Sequence, residues 1–313
     1  MLRPRHVSPE MHAMSAAPAV DLHARGPGGL LEGTWQPAAP GAPVVLIVPG
    51  SGPTDRDGNN PGGVAAGTYR LLAEGLAERG IASLRIDKRG MFGSRPAASD
   101  PNAVTLGDYV DDVRAWIAEI RRREAAAPVW LLGHSEGGLV ALAAAAGGPL
   151  GLAGVILAAA PGRPLGAVLR EQLAANPANA GLMDEALGVL ARLERGERVD
   201  SVSPVLRPLF RPEVQDFLIS LLRVDPAALI AGLRGPVLIL QGGLDLQVGR
   251  ADAETLHRAN PASRLVLLPE ANHVFKAVAA DDRAANIAAY RDPALPLAPG
   301  LVEAVAAAVA GAP

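Results

Sequence analysis

Cysteine is absent from this chain of 313 residues. Disulfide bonds, iron–sulfur clusters and catalysis by a thiolate are therefore excluded. An excess of basic residues is also absent, because 29 lysines and arginines stand against 32 aspartates and glutamates, a net charge of −3. Without surplus cations to contact phosphates, a nucleic-acid partner is not expected.

Long apolar runs are missing as well. No segment approaches the roughly 18 apolar residues of a membrane-spanning helix, and the first residues contain no apolar core of a secretory signal. We expect a soluble, cytoplasmic protein in which residues 1–18 form a disordered extension. At 49% hydrophobic residues, the chain can bury one large core and carry a modest insert.

The segment 44–60, VVLIVPGSGPTDRDGNN, passes from five apolar residues into a loop rich in glycine and acid. Gly50 and Gly52 fit the start of a dinucleotide-binding G-x-G-x-x-G, but Asp55 occupies the third glycine position. The Gly-Lys-Ser/Thr of a phosphate loop is absent. A calcium loop starting at Asp55 would lack its glycine at the sixth position and its glutamate at the twelfth. The loop therefore predicts neither a nucleotide nor a metal.

Short apolar runs of strand composition alternate with helical patterns along most of the chain. A helix is predicted over 105–123, where a T-x-x-D start resembles a capping box. This alternation predicts an α/β fold, a mostly parallel sheet with helices on both faces. The predicted strands are an antiparallel pair at 19–25 and 30–37, then 44–48, 81–86, 129–132, 153–157, 237–240 and 264–268.

The alternation stops between residues 161 and 233. Three stretches there have helical spacing and are interrupted by prolines: 165–173, 182–193 and 214–222. We predict a helical insert at 161–233 between two strands of the sheet, with 19–160 and 234–313 forming the core and a last helix near 299–310.

The clearest chemical motif is GHSEGG at residues 133–138, between a predicted strand and an apolar helix. A G-x-S-x-G sequence in that context places its serine, here Ser135, on a sharp and strained turn. Glycine neighbours let the strand and helix approach each other, and the helix N-terminus faces the charge that develops during catalysis. Ser135 is the predicted nucleophile.

A serine nucleophile needs a base, and the sequence has six histidines. His273 is the candidate because it follows the last predicted strand, where a doubly wound sheet places functional groups beside the motif. The other five precede the first parallel strand, adjoin Ser135 with a side chain directed away from it, or lie in a helical surface pattern: His6, His12, His23, His134 and His257.

The base in turn needs an acid to fix its tautomer. The loop after strand 153–157 contains none, whereas Asp245 lies in the loop after strand 237–240 and Asp252 already falls within a helical pattern. Asp245 is the predicted acid. The oxyanion would be held by the backbone N–H groups of Glu136 and Ser51, since Gly50 and Gly52 let that loop approach a substrate.

These residues together resemble the α/β-hydrolase superfamily, across about residues 19–310. The segments PGSGPTDRDGN, DKRGMFG, GHSEGG, LQGGLD and NHVFK are similar to a branch of carboxylesterases described as serine aminopeptidase-like. The resemblance implies a Ser135, Asp245 and His273 triad, small acyl esters as substrates and a helical lid after the sixth strand. We expect no cofactor and no metal.

Further residues are candidates for contact with the substrate. Asp55, Arg56 and Asp57 are interpreted as a turn that pairs internally, with substrate contact by Arg56 as the alternative. Met91 and Phe92 stand where related sequences have a different loop pattern, and they either line the pocket mouth or simply pack. Phe210 and Phe217 are expected to wall an apolar acyl pocket in the insert, with ordinary packing as the alternative.

The sequence thus predicts a serine hydrolase acting on small-molecule esters. Two other functions remain open: a peptidase or amidase using the same machinery, and a catalytically silent protein that binds a ligand. A metal hydrolase is disfavoured because no two histidines of the core region have the spacing of metal ligands. The oligomeric state is not indicated.

Overall fold

The computed structural model describes residues 17–175, 177–279 and 282–311, so the first sixteen residues of the predicted extension lie outside it. Eight strands form its main sheet: β1 (Val20–Gly26), β2 (Gly29–Gln36), β3 (Val44–Val48), β4 (Ala82–Ile86), β5 (Val129–His134), β6 (Gly154–Ala158), β7 (Val237–Gly242) and β8 (Arg264–Leu268). They lie in the order β1-β2-β4-β3-β5-β6-β7-β8. β2 is antiparallel to both neighbours and all other pairs are parallel.

Helices occupy both faces of this sheet. The α-helices are α1 (Thr68–Ala77), α2 (Leu106–Arg123), α3 (Glu136–Ala146), α4 (Leu165–Ala174), α5 (Met183–Glu194), α6 (Arg207–Phe210), α7 (Gln215–Leu222), α8 (Pro226–Gly232), α9 (Arg250–Ala259), α10 (Arg283–Ala289) and α11 (Leu301–Ala310). Short 3₁₀ segments cover Phe92–Ala97, Pro177–Leu182 and Pro212–Val214, and Asn59–Asn60 pairs with Val64–Ala65 as a minor second sheet. The predicted α/β fold is confirmed.

Local sequence explains where the elements begin and end. The predicted strands agree with the structure to within two residues, including the antiparallel pair at the N-terminal edge. α2 begins with the expected capping box: Asp108 N–H donates to Thr105 Oγ1 at 3.4 Å, and Thr105 N–H donates to Asp108 Oδ2 at 2.9 Å. These bonds satisfy donors that the first helical turn leaves unpaired.

The central strands are buried on both faces, which is why they read as continuous apolar runs. Along β3, Val44, Leu46 and Val48 pack into a cluster with α2 and α3. Val45 and Ile47 pack on the opposite face with α1 and α11. Because side chains of a strand alternate between faces, the five residues of β3 serve both cores.

Helices α4 to α8 lie between β6 and β7. Three of them correspond to the predicted helical stretches. α6 and α8 were not predicted, although Pro208 and Pro226 stand in their first turns, where proline is tolerated. α4 and α5 share a cluster of their own, whereas Leu221 and Ile230 join the core on the face of α2 and α3. The insert is thereby attached to the sheet's main core.

Candidate active site

Ser135 stands at the turn between β5 and α3 with φ 53° and ψ −123°. This positive φ is strained for a residue with a side chain and is typical of functional sites. The flanking Gly133 and Gly137 are required because backbone atoms lie too close to them for a side chain to fit. A Cβ on Gly133 would lie 2.1 Å from the carbonyl oxygen of Gly137, and one on Gly137 would lie 2.4 Å from that of Val48. The local sequence therefore builds the sharp turn that the motif predicted.

His273 and Asp245 form the second part of the site. His273 Nδ1 is 2.8 Å from Asp245 Oδ2, and both side chains are buried. Asp245 Oδ1 also accepts the backbone N–H groups of Gln247 and Val248 at 2.7 and 2.9 Å. Burial acts to raise the pKa of Asp245, but His273 and these two amides outweigh burial, and the pKa is lowered. Asp245 is therefore ionised at neutral pH and holds the proton of His273 on Nδ1.

The three predicted triad residues meet at one edge of the sheet, beyond the carboxyl ends of β5, β7 and β8. Ser135 and His273 line the same cavity of about 240 Å³, whose wall also includes Gly50, Ser51 and Tyr69. The arrangement places a candidate nucleophile and a candidate base against one volume.

The loop after β3 forms another wall of this cavity. A Cβ on Gly50 would lie 3.4 Å from Ser135 Cβ, so this loop approaches the serine closely. Gly52 has φ 63°, a conformation that favours glycine. Within the described residues, the backbone N–H groups of Ser51 and Glu136 donate to no protein acceptor. Both amides are thus available to a ligand.

His134 is buried beside the site, and sequence reasoning gave it no role. Tyr69 Oη donates to His134 Nδ1 at 2.7 Å, and His134 Nε2 donates to the carbonyl oxygen of His273 at 2.9 Å. Tyr69 Oη also accepts the N–H of Gly50 at 3.0 Å. Burial lowers the pKa of His134 to about 3. His134 is therefore neutral, and its hydrogen bonds join the loop after β3, through Tyr69, to the loop that carries His273.

The charged turn 55–57 braces the loop, but its three members do not pair with one another as predicted. Arg56 donates to Asp87 and Glu32, and Asp57 pairs with Arg85. Asp55 accepts backbone N–H groups at positions 57 and 59. The prediction of internal pairing was wrong because the oppositely charged partners lie outside the turn: Glu32 on β2, Arg85 on β4 and Asp87 directly after β4. Arg56 is not among the residues that line the cavity shared by Ser135 and His273.

A second, wider cavity of about 560 Å³ lies on the other side of Ser51. Glu136, Met91 and Phe217 are among its lining residues, together with Lys88 and Arg211. Its roof is made by residues of the insert: Pro208, Leu209, Arg211, Val214, Phe217 and Leu218.

The residues predicted to contact the substrate lie in four places: the wide cavity, the smaller cavity, a surface depression and the hydrophobic cluster of the insert. Met91, Phe217 and Gly52 line the wide cavity, and Gly50 lines the smaller cavity that Ser135 also lines. Phe92 is 42% exposed and borders a surface depression next to Met91 instead. Phe210 is fully buried in the insert's own cluster, so the packing alternative applies to it.

Within the described ranges, no group of three or more His, Asp or Glu side chains is arranged to hold a metal ion. The same part of the chain contains no helix with the length and apolar character needed to cross a membrane.

Comparison with known sequences gives two matches. A model of the family described as Hydrolase_4, serine aminopeptidase S33, matches residues 62–190. Esterase EstD of Thermotoga maritima is 30% identical over 216 residues, which are 68% of this chain and 48% of that protein. The matched part of the chain thus spans about half the length of this curated relative.

Solved structures share the fold at low identity. A thermophilic esterase from Thermogutta terrifontis, solved with malate bound, is 22% identical with a TM-score of 0.53, covering 82% of this chain and 92% of that one. XC6422 from Xanthomonas campestris, described as an α/β serine hydrolase without a lid, is 20% identical with a TM-score of 0.51, covering 83% and 89%. At such identities the likeness concerns the fold alone.

Proposed function

From the premise that this chain belongs to the α/β-hydrolase superfamily, we propose that it is a serine esterase. It cleaves carboxylic esters of small acyl groups through an acyl-enzyme intermediate. The observation that carries the proposal is the 2.8 Å contact of His273 Nδ1 with Asp245 Oδ2, in a cavity that the strained Ser135 also lines. The esterase relative and the match to a hydrolase family support the same reaction class.

In this mechanism Ser135 Oγ attacks the ester carbonyl while His273 Nε2 takes its proton. Asp245 stabilises the imidazolium that forms, and the Ser51 and Glu136 amides bind the oxyanion. His273 then protonates the leaving alcohol. Water attacks the acyl-enzyme by the same steps in reverse, with His273 acting first as base and then as acid.

The substrate would extend into the two cavities on either side of Ser51. The cavity of about 240 Å³ accommodates a small group beside His273. The wider, mostly apolar cavity of about 560 Å³ lies beneath α6 and α7 and accepts the larger part of the ester. In this proposal residues 161–233 act as the lid, because insert residues such as Phe217 close that cavity from above.

The test is the variant Ser135→Ala, assayed with p-nitrophenyl esters and with a fluorophosphonate probe. Turnover should fall ~10³-fold or more, and labelling of the protein should vanish. Ser263→Ala is the matched control, because Ser263 Oγ also contacts a histidine, His257 Nδ1 at 3.0 Å, but lies away from both cavities. It should keep wild-type turnover and labelling.

The same experiment separates the other functions. The family description names an aminopeptidase, so aminoacyl anilides are included in the panel. Cleavage of anilides at rates equal to those of esters would favour a peptidase. A wild-type protein that the probe does not label would contradict the esterase and indicate a ligand-binding homologue.

A further inference from the structure

Lys88 is a buried cation that the triad mechanism does not use. Its side chain is 3% exposed, and Nζ donates to the carbonyl oxygen of Gly50 at 2.6 Å. Nζ also lies 3.5 Å from Glu136 Oε1. Burial lowers the pKa of Lys88, although Glu136 opposes this effect. A mostly buried ammonium group thus lies between the Gly50 carbonyl, which shares a peptide with the Ser51 N–H, and the Glu136 carboxylate.

Lysine is rare in this chain. Of its 29 basic residues only two are lysines, Lys88 and Lys276. Both are buried, and each donates to a backbone carbonyl oxygen, that of Gly50 and that of Leu295. The other 27 basic residues are arginines. A lysine ammonium is a compact point charge, whereas an arginine guanidinium is a planar fork.

The geometry of the peptide group links Lys88 to the oxyanion. The carbonyl of Gly50 and the N–H of Ser51 belong to one planar trans peptide, so they point in opposite directions. A strong charge-assisted bond to the carbonyl oxygen on one side therefore fixes the direction of the N–H on the other. The Gly50 N–H is separately held by Tyr69 Oη at 3.0 Å, so the peptides on both sides of Gly50 are anchored.

Glu136 supplies the second reason for a cation here. Its amide faces the site, but its carboxylate is mostly buried, with 12% of the side chain exposed. A buried negative charge beside a developing oxyanion would oppose catalysis. Lys88, at 3.5 Å, compensates that charge.

We propose that Lys88 is a positioning residue for transition-state stabilisation: it orients the Ser51 N–H through the Gly50 carbonyl and neutralises Glu136. This inference rests on the proposed esterase function. Lys88 does not touch the reacting atoms and acts only through the peptide it binds and the carboxylate it balances.

The test compares Lys88→Met with Lys276→Met, the same substitution at the other buried lysine. Both variants lose a bond to a backbone carbonyl, so both should lose thermal stability. Only Lys88→Met should lower kcat, by ~10²-fold with KM within about threefold, as expected when an oxyanion donor is lost. Affinity for a trifluoromethyl ketone, whose adduct carries an oxyanion, should fall in parallel with kcat/KM.

Two further measurements separate positioning from a structural role. Lys88 borders the wide cavity, so a small amine can reach its place in Lys88→Ala. Added ethylammonium should restore part of kcat with saturation, whereas ethanol should not, because it carries no positive charge. In Lys88→Met, adding Glu136→Gln should recover part of the rate by removing the uncompensated charge. If Lys88→Met does not fold, Lys88→Gln with the same inhibitor series takes its place.

The inference is overturned if folded Lys88→Met or Lys88→Gln keeps kcat within threefold of wild type. An equal loss of kcat in Lys276→Met would also overturn it. These results differ from failure of the esterase proposal, which would appear as a wild-type protein that neither hydrolyses esters nor reacts with fluorophosphonate at Ser135.

Discussion

His134 Nε2 donates a hydrogen bond to the carbonyl oxygen of His273 at 2.9 Å. Since Nδ1 of the same ring accepts from Tyr69, and Tyr69 accepts from Gly50, one buried chain of bonds joins the loop of the candidate base to the loop after β3. The rings of His134 and His273 are 4.9 Å apart between centroids. The two loops that the proposed mechanism brings to one substrate carbonyl are therefore joined through the neutral side chain of His134.

Tyr69→Phe should weaken that bridge. The change removes the oxygen that binds both Gly50 and His134, and leaves the N–H of Gly50 unpaired. We expect kcat to fall roughly tenfold with a smaller change in KM, because a misplaced oxyanion loop affects the transition state most. Steady-state kinetics on a p-nitrophenyl ester measure this. A wild-type kcat in Tyr69→Phe would argue against the bridge.

Asp245→Asn should lower kcat by ~10⁴-fold because an amide directed at His273 Nδ1 favours the wrong tautomer of the imidazole. Asn can still accept the N–H groups of Gln247 and Val248, so the fold should survive. Asp252→Asn is the control: Asp252 is fully buried but pairs with Arg163 and should affect stability rather than kcat. Wild-type turnover in Asp245→Asn would remove Asp245 from the mechanism.

The stability of the protein should depend on His134 in acid. Its folded pKa of about 3 lies below the ordinary histidine value of roughly 6.5. Between these pH values the unfolded state binds the proton and the folded state does not, so the free energy of unfolding falls as pH falls through this window. The stability is lost progressively as the pH falls, and the loss reaches roughly 3 kcal/mol of the free energy of unfolding at pH 4.

Urea unfolding at pH 7 and pH 4 measures this effect. His134→Gln should reduce the difference between the two pH values, because glutamine does not titrate. His257→Gln, at a partly exposed site, should keep the wild-type difference. An unchanged pH dependence in His134→Gln would contradict the prediction.

The two phenylalanines of the insert should separate specificity from stability. Phe217 lines the wide cavity and packs edge-on against Tyr109 at 5.5 Å between centroids. Phe217→Ala should enlarge the cavity and shift preference toward longer esters by a few-fold in kcat/KM. Phe210→Ala removes a fully buried ring and should cost ~3–5 kcal/mol without that shift. An acyl-length series and urea unfolding of both variants provide the comparison.

Much of the site could be predicted from the sequence because its parts are local. The strand, turn and helix around Ser135 are contained in about eighteen consecutive residues, and their glycines serve that turn directly. Elimination among six histidines reached His273, and the loop after β7 offered Asp245. These steps needed only the order of strands along the chain and the rule that functional groups gather at their carboxyl ends.

Other features depended on which strands become neighbours. Arg56 binds Asp87 and Glu32 because β2 and β4 lie side by side, although these residues are far apart in sequence. Lys88 reaches Gly50 because β4 is adjacent to β3. From the sequence alone, opposite charges within a turn are expected to pair with each other. The ion-pair partners on other strands become visible only in the tertiary structure.

The sequence by itself determined the strands of the main sheet, the sharp turn at Ser135 and the identity of the three candidate triad residues, because periodicity, glycine placement and chain order are properties of short segments. The tertiary structure decided the rest. It placed Phe217 in the wall of a cavity and Phe210 in the hydrophobic cluster of the insert. It also placed His134 in hydrogen-bonding contact with Tyr69 and His273, and Lys88 with the Gly50 carbonyl. Those roles follow from close packing of distant segments, where a side chain's surroundings, rather than its spacing along the chain, fix its charge and its contacts.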